Sequence, residues 1–261
     1  MFWKGVWGYL PANIVQGVVG FLTIVLFTRL LSPEDFGRYA LAFSVMTLAH
    51  VAVFSWLEAS MARFWAAESG ASLQGHFASL YRTAFGLSVM FLVVIGVGLW
   101  LWPTDLLFKT ALAVGLAGAP ARCLMKLGQE RFRAAGEVRK AAGFDMAVSI
   151  GGLVIGVGFA LAGAGGAGPL LGLGLAPLLA PPFVLPGEVK EARGGRFEPE
   201  RMRNYALYGY PIAMSLALTV VLSSTDRFLL AAFMDEAAEG AYHAGYSIAK
   251  RTLDVLFLWV G

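Results

Sequence analysis

The sequence predicts an all-α integral membrane protein of about eight transmembrane helices. Three observations carry this. Of 261 residues, 58% are hydrophobic and 14% charged, against about 45–50% and about 25% in a soluble domain. The apolar residues fall in runs of about 20, the length that crosses a hydrocarbon core as a helix. The 32 glycines have no collagen-like period and are scattered through those runs, as in membrane helices. Barrel strands would instead need alternating segments of about ten residues, whereas stretches such as 15–27 and 90–101 are apolar on every face.

Runs bounded by charge, Pro or Gly clusters place the spans at 9–31, 38–62, 78–101, 105–127, 141–162, 167–187, 205–232 and 240–261. The first follows Lys4 and reaches Arg29 without a small-residue cleavage site, so it reads as a retained helix and not as a signal peptide. Alternate connections then divide the basic residues unequally. With the N-terminus in the cytoplasm, inner segments hold 14 Lys and Arg and outer ones only Arg29, Arg38, Lys109 and Arg227, which is the positive-inside pattern. The clusters at 131–140 and 190–203 are therefore topology signals facing anionic lipid, and nucleic acid is not an expected partner. The single cysteine, Cys123, excludes an internal disulfide, and no Cys and His spacing resembles a zinc site. No cofactor and no metal are expected.

A repeat joins the first and seventh spans. Gly8-Tyr9-Leu10-Pro11 and Thr28-Arg29-Leu30-Leu31 correspond to Gly209-Tyr210-Pro211 and Asp226-Arg227-Phe228-Leu229-Leu230. In the second and eighth spans, Gly37-x-Tyr39-x-x-x-Phe43-Ser44 matches Gly240-x-Tyr242-x-x-x-Tyr246-Ser247 at an offset of 203. Six helices return the chain to the same side, so the copies are parallel. The expected organisation is a six-helix lobe over 1–187, a charged cytoplasmic linker over 188–204, and the first two helices of an incomplete second lobe over 205–261.

The stretches "FTRLLSPEDFGRYALAFS" (27–44), "YGYPIAMSLALTVVLSSTDRFLLAAF" (208–233) and "GAYHAGYSIAK" (240–250), with the basic loop after the fourth span, resemble the polysaccharide flippases of bacterial envelopes. These belong to the multidrug, oligosaccharidyl-lipid and polysaccharide exporter superfamily. The resemblance implies a carrier of twelve to fourteen helices in two lobes around a cationic cavity. It implies movement of polyprenyl-diphosphate-linked oligosaccharide, such as an O-antigen unit for lipopolysaccharide, across the cytoplasmic membrane by alternating access, coupled to sodium or protons. Lipid-linked oligosaccharide and membrane lipid are the expected partners; no enzymatic activity and no catalytic residue are expected. The chain is shorter than that pattern and is expected to be a C-terminally truncated form.

Ionisable residues deep in a membrane mark function by default. Lys250 and Arg251 lie roughly 15 Å, and Asp254 roughly 20 Å, below the outer end of the eighth span. His243, Ser247, Lys250, Arg251 and Asp254 share one helical face. Ser44, Thr47, Ser55 and Glu58 form a matching stripe on the second span, with His50 to one side. Lys250 and Arg251 suit a diphosphate, with Ser247, Ser44 and Arg122 as further cavity residues. Asp254, Glu58 and His50 are candidates for a coupling ion or proton. Pairing of Lys250 or Arg251 with Asp254, solely to make insertion tolerable, is the competing explanation. Arg29, Asp226 and Arg227 lie near the outer interface as a candidate gate, or as snorkelling residues. Arg122 and Lys126 serve equally as an entry point or a positive-inside anchor, and Asp145 as a helix-start carboxylate.

Gly163-x-Gly165-x-x-Gly168 matches a dinucleotide fingerprint, but it joins two membrane spans instead of following a strand. Gly152-x-x-x-Gly156 and Gly168-x-x-x-Gly172 predict close helix packing, and Trp3, Trp7, Trp100 and Trp102 suit interfacial belts. A multidrug exporter of the same superfamily is the alternative function; a cationic cargo calls for carboxylates, whereas Lys250, Arg251 and Asp254 are net positive. A membrane glycosyltransferase or acyltransferase would need a sizeable external loop, which this chain lacks. A non-catalytic scaffold is the remaining alternative.

Overall fold

The computed structural model describes residues 2–68, 73–103, 106–179, 181–234 and 236–260. These residues form helices with no strand among them: α1 (Phe2–Leu30), α2 (Pro33–Glu68), α3 (Leu73–Leu101), α4 (Leu106–Ala117), α5 (Ala119–Ala134), α6 (Val138–Phe159), α7 (Ala167–Leu175), α8 (Pro181–Gly194), α9 (Pro199–Phe233) and α10 (Glu236–Val260). Among the described residues six helical stretches are long and apolar enough to cross a membrane: 10–30, 33–68, 73–101, 108–134, 138–164 and 199–230. The protein is a multi-pass membrane protein.

Two expected spans are broken. The fourth turns at Gly118 into α5, where Pro120 occupies the first turn, a position that needs no backbone donor. The sixth divides into α7, a 3₁₀ turn at Ala176–Leu179 and α8, because Pro177, Pro181 and Pro182 remove donors from any continuous helix. Residues 188–194 continue α8 and α9 begins at Pro199, so helix occupies most of 188–204.

α2 is the hub, packed against α3, α4, α5, α7, α9 and α10. Its apolar face meets Phe27, Leu80, Leu112, Leu127 and Leu170 in one core. The opposite faces of α3, α6 and α9 expose Phe85, Val93, Val154, Leu207 and Leu222, an apolar surface that water would penalise and lipid would not. Glycines set the closest approaches. A methyl on Gly172 would overlap the Gly152 carbonyl oxygen, and one on Gly168 would stand 2.7 Å from the Ala160 nitrogen, so both small-residue motifs pack as their spacing predicts. The glycine-rich 163–168 segment makes the turn between α6 and α7: Gly163 has φ 89° and Gly165 φ 51°, conformations that side chains resist. Its glycines serve backbone geometry, which accounts for the fingerprint match.

One end of the bundle, the basic end, holds Arg131, Arg133, Arg139, Lys140, Arg193, Arg196, Arg201 and Arg203. The opposite, far end holds Pro33 and Gly163.

Candidate functional site

A cavity of about 590 Å³ lies among α1, α2, α5, α6, α7, α9 and α10. Its charged lining is Arg122 and Lys126 from α5, Asp145 from α6, Arg227 from α9 and Lys250 from α10. Gln16, Thr23, Tyr39, Ser149, His243, Tyr246 and Ser247 add hydrogen-bonding groups. Four basic side chains therefore face one carboxylate. That carboxylate is already compensated from α5: Gln129 Nε2 donates to Asp145 at 2.8 Å, Arg133 Nη2 donates at 3.0 Å, and Lys126 Nζ stands 4.0 Å away. Asp145 is thus held by side chains of a neighbouring helix and not by a helix start. Arg122 and Lys250 have no ion pair among the described residues, which leaves their charge for a guest.

The face predicted on the eighth span lines this cavity through His243, Ser247 and Lys250. The side chains of Arg251 and Asp254, on the same helix, lie outside the described residues, as do those of Lys4, Trp3 and Trp7. On α2, Ser44, Thr47 and Ser55 donate to the carbonyls of Ala40, Phe43 and Val51 at 2.9, 2.8 and 2.5 Å, so each hydroxyl is satisfied by its own helix. His50 Nε2 and Glu58 Oε1 are 2.9 Å apart, largely buried. They lie outside the cavity lining, yet the Glu58 charge acts on Arg122.

Arg29 and Arg227, equivalent in the repeat, differ in surroundings. Arg29 is exposed at the end of α1. Arg227 is 9% exposed; its Nη1 donates to Ser44 Oγ at 3.2 Å and its guanidinium lies 5.4 Å from the Tyr246 ring centroid. It is both a cavity residue and a tie between α9 and α2. Asp226 accepts the Tyr242 hydroxyl at 2.5 Å. Sequence reasoning did not single out Gln16, Thr23 or Tyr246. For Gln16, a lone amide inside an apolar run, the signal was present. For the others the grouping exists only across helices. Among the described residues no group of three His, Cys, Asp or Glu could hold a metal ion.

The family profile described as polysaccharide biosynthesis protein matches residues 26–257, a stretch that includes every charged residue of the cavity. The chain belongs to that family. No curated protein matches the sequence. Among solved structures, a chain called protein A aligns with a TM-score of 0.68 at 16% identity, covering 95% of this chain and 61% of that one. The MATE multidrug transporter DinF-BH, solved as a complex, aligns with a TM-score of 0.65 at 13% identity, covering 95% and 59%. This member of the polysaccharide biosynthesis family therefore has a MATE-like fold over nearly its whole length, and it spans about three fifths of the length of the solved structures it matches.

Proposed function

We propose that the chain is the first lobe and the beginning of the second in an exporter that carries polyprenyl-diphosphate-linked oligosaccharide across the cytoplasmic membrane for cell-surface polysaccharide synthesis. The observation that carries this is the cavity lined by four cations and one compensated carboxylate in a member of a polysaccharide biosynthesis family. A diphosphate brings several strong acceptors and negative charge, and Arg122 and Lys250, which have no ion pair among the described residues, offer charge-assisted donors. Arg251 follows Lys250 on the same helix and belongs to this set. The surplus of positive charge disfavours a cationic drug as cargo. The concentration of Lys and Arg at the basic end supports a cytoplasmic basic end and a cytoplasmic N-terminus.

In this reading residues 1–187 are one lobe, 188–204 connect it, and 205–261 open the next. In the same reading Lys250, Arg251, Arg122 and Ser247 contact the headgroup region, and Ser44, buried outside the cavity lining, acts there through its hydrogen bond with Arg227; Glu58, His50 and Asp254 handle the coupling cation, sodium or proton. Arg227 and Asp226 gate the outer end, with Arg29 at its rim. The test is the sidedness of lipid-linked oligosaccharide in cells lacking the locus, read with an enzyme that reaches only the outer leaflet. Accumulation of protected, inner-leaflet carrier is expected; an unchanged outer-leaflet pool contradicts the assignment.

A further inference from the structure

Glu239 stands three residues after the start of α10 at the far end. It is fully buried, and neither carboxylate oxygen has a hydrogen-bond partner. The adjacent Gly240 explains the burial: a methyl there would overlap the Pro33 carbonyl oxygen and stand 3.0 Å from the Gly37 nitrogen, so α10 meets the α2 backbone with no space for water. The charged groups that act on Glu239 are Arg227 and Asp226 of α9. Asp226 is occupied by the Tyr242 hydroxyl and the Arg227 backbone N–H. Arg227 spends Nη1 on Ser44, while its Nε is buried without a partner. His243, one turn further along α10, is buried against the Phe36 and Tyr39 rings of α2, and its Nδ1 is unpartnered. The charged groups that act on His243 are likewise Arg227 and Asp226.

An ionised carboxylate buried without a partner is far too costly to persist, so such a group binds a proton or acquires a cation. The cation whose charge acts on Glu239 is the Arg227 guanidinium, and it is engaged by Ser44. We infer that Glu239 is a proton-binding site, and that gain or loss of its proton decides whether Arg227 ties α9 to Ser44 of α2 or pairs with Glu239 of α10. With the proton on Glu239, Arg227 bonds Ser44, the arrangement seen here. Release of the proton draws Arg227 to Glu239 and frees α2. This rests on the exporter reading only for its purpose; the site itself is defined without any cargo.

The experiment is infrared difference spectroscopy of the purified protein in lipid nanodiscs across an acid-to-alkaline titration, without substrate. Wild type minus Glu239→Gln should show a protonated-carboxyl stretch that disappears as pH rises. Ser44→Ala releases Arg227 and should move that midpoint to lower pH. Arg227→Gln removes the competing cation and should move it to higher pH by about one pH unit or more. Glu239→Asp keeps the band while changing its frequency, and identifies it should the glutamine variant fail to fold. Absence of a protonated-carboxyl band at every pH, or a midpoint indifferent to both Ser44→Ala and Arg227→Gln, overturns the site. A cellular sidedness assay that fails while these shifts are present rejects the cargo and leaves the proton site standing.

Discussion

The two ends at which α2 meets the last two helices are alike in shape and opposite in polar content. At the basic end a methyl on Gly209 would stand 2.5 Å from the Trp56 carbonyl oxygen, just as Gly240 abuts Pro33 at the far end. Around Gly209 several polar groups answer one another across helices, although His76 Nε2 is buried without a hydrogen-bond partner. Glu68 pairs with Arg201, Arg201 Nη2 stands 3.1 Å from Glu198, Ser60 donates to the Tyr205 carbonyl at 3.1 Å, and His76 Nδ1 lies 2.6 Å from the Tyr205 hydroxyl. Rings reinforce them, with Trp56 stacked on Tyr210 and Phe64 on Tyr205 at 5.1 and 4.5 Å. Around Gly240 the hydrogen bond from Arg227 to Ser44 crosses to α2, while the Glu239 carboxylate oxygens, His243 Nδ1 and Arg227 Nε are buried without hydrogen-bond partners. Glycine gives both contacts their closeness; the basic end adds a cross-helix network of hydrogen bonds and an ion pair that resists opening. The basic end is a lock and the far end is poised.

The comparison breaks if the two glycines are not equivalent. Gly209→Ala and Gly240→Ala each push a methyl into backbone that cannot yield, and each should cost about 1–3 kcal/mol, read as similar losses of thermal midpoint in detergent. The polar substitutions should be unequal. Tyr205→Phe removes a hydroxyl bonded to buried His76 and should cost about 1–2 kcal/mol, with most of that effect vanishing in a His76→Ala background. Ser44→Ala, at the far end, should cost about 1 kcal/mol or less and should speed labelling of a Tyr39→Cys variant by a water-soluble thiol reagent. Equal costs for Tyr205→Phe and Ser44→Ala would erase the distinction.

The smallest effect concerns the basic end's own pH response. Glu188, buried at the end of the predicted sixth span, accepts from the Tyr81 hydroxyl and lies 3.5 Å from Arg131. Burial pushes its carboxyl above the ordinary range, outweighing those two partners. Its protonated form is thus favoured more in the folded than in the unfolded chain. Stability should be fullest below the ordinary carboxylate range and decline as pH rises through the raised value. Glu188→Gln should flatten that slope in a series of thermal midpoints, leaving the slope set by other groups.

Much of this was legible in the sequence. The eight apolar runs locate the helices, and α2 and α9 exceed their predicted spans, 38–62 and 205–232, because the ends carry charges with cross-helix partners: Glu68 finds Arg201, which hydropathy cannot anticipate. The stripe of His243, Ser247 and Lys250 was readable because it belongs to one helix, and helical period alone puts its members together. Depth along the axis puts Arg227 near the outer interface; its bond to Ser44 of α2, about 180 residues away, is a contact that depth alone does not report. Asp145 and Gln129 meet only because α5 and α6 fold back on each other, and no period within either helix reports it. Glu239 sits in "DEAAEGAYH", a segment that reads as an exposed helix start; the burial comes from Gly240 and from Pro33, about 200 residues away.

Whether the cavity's unpaired cations hold an anionic lipid headgroup is tested most directly by binding of a polyprenyl diphosphate to the purified protein in nanodiscs, for wild type and for Arg122→Gln combined with Lys250→Gln. The predicted result is saturable binding that weakens at least tenfold in the double variant, equivalent to about 1.4 kcal/mol, and that weakens with salt in the wild type. Undiminished binding in a folded double variant would contradict it.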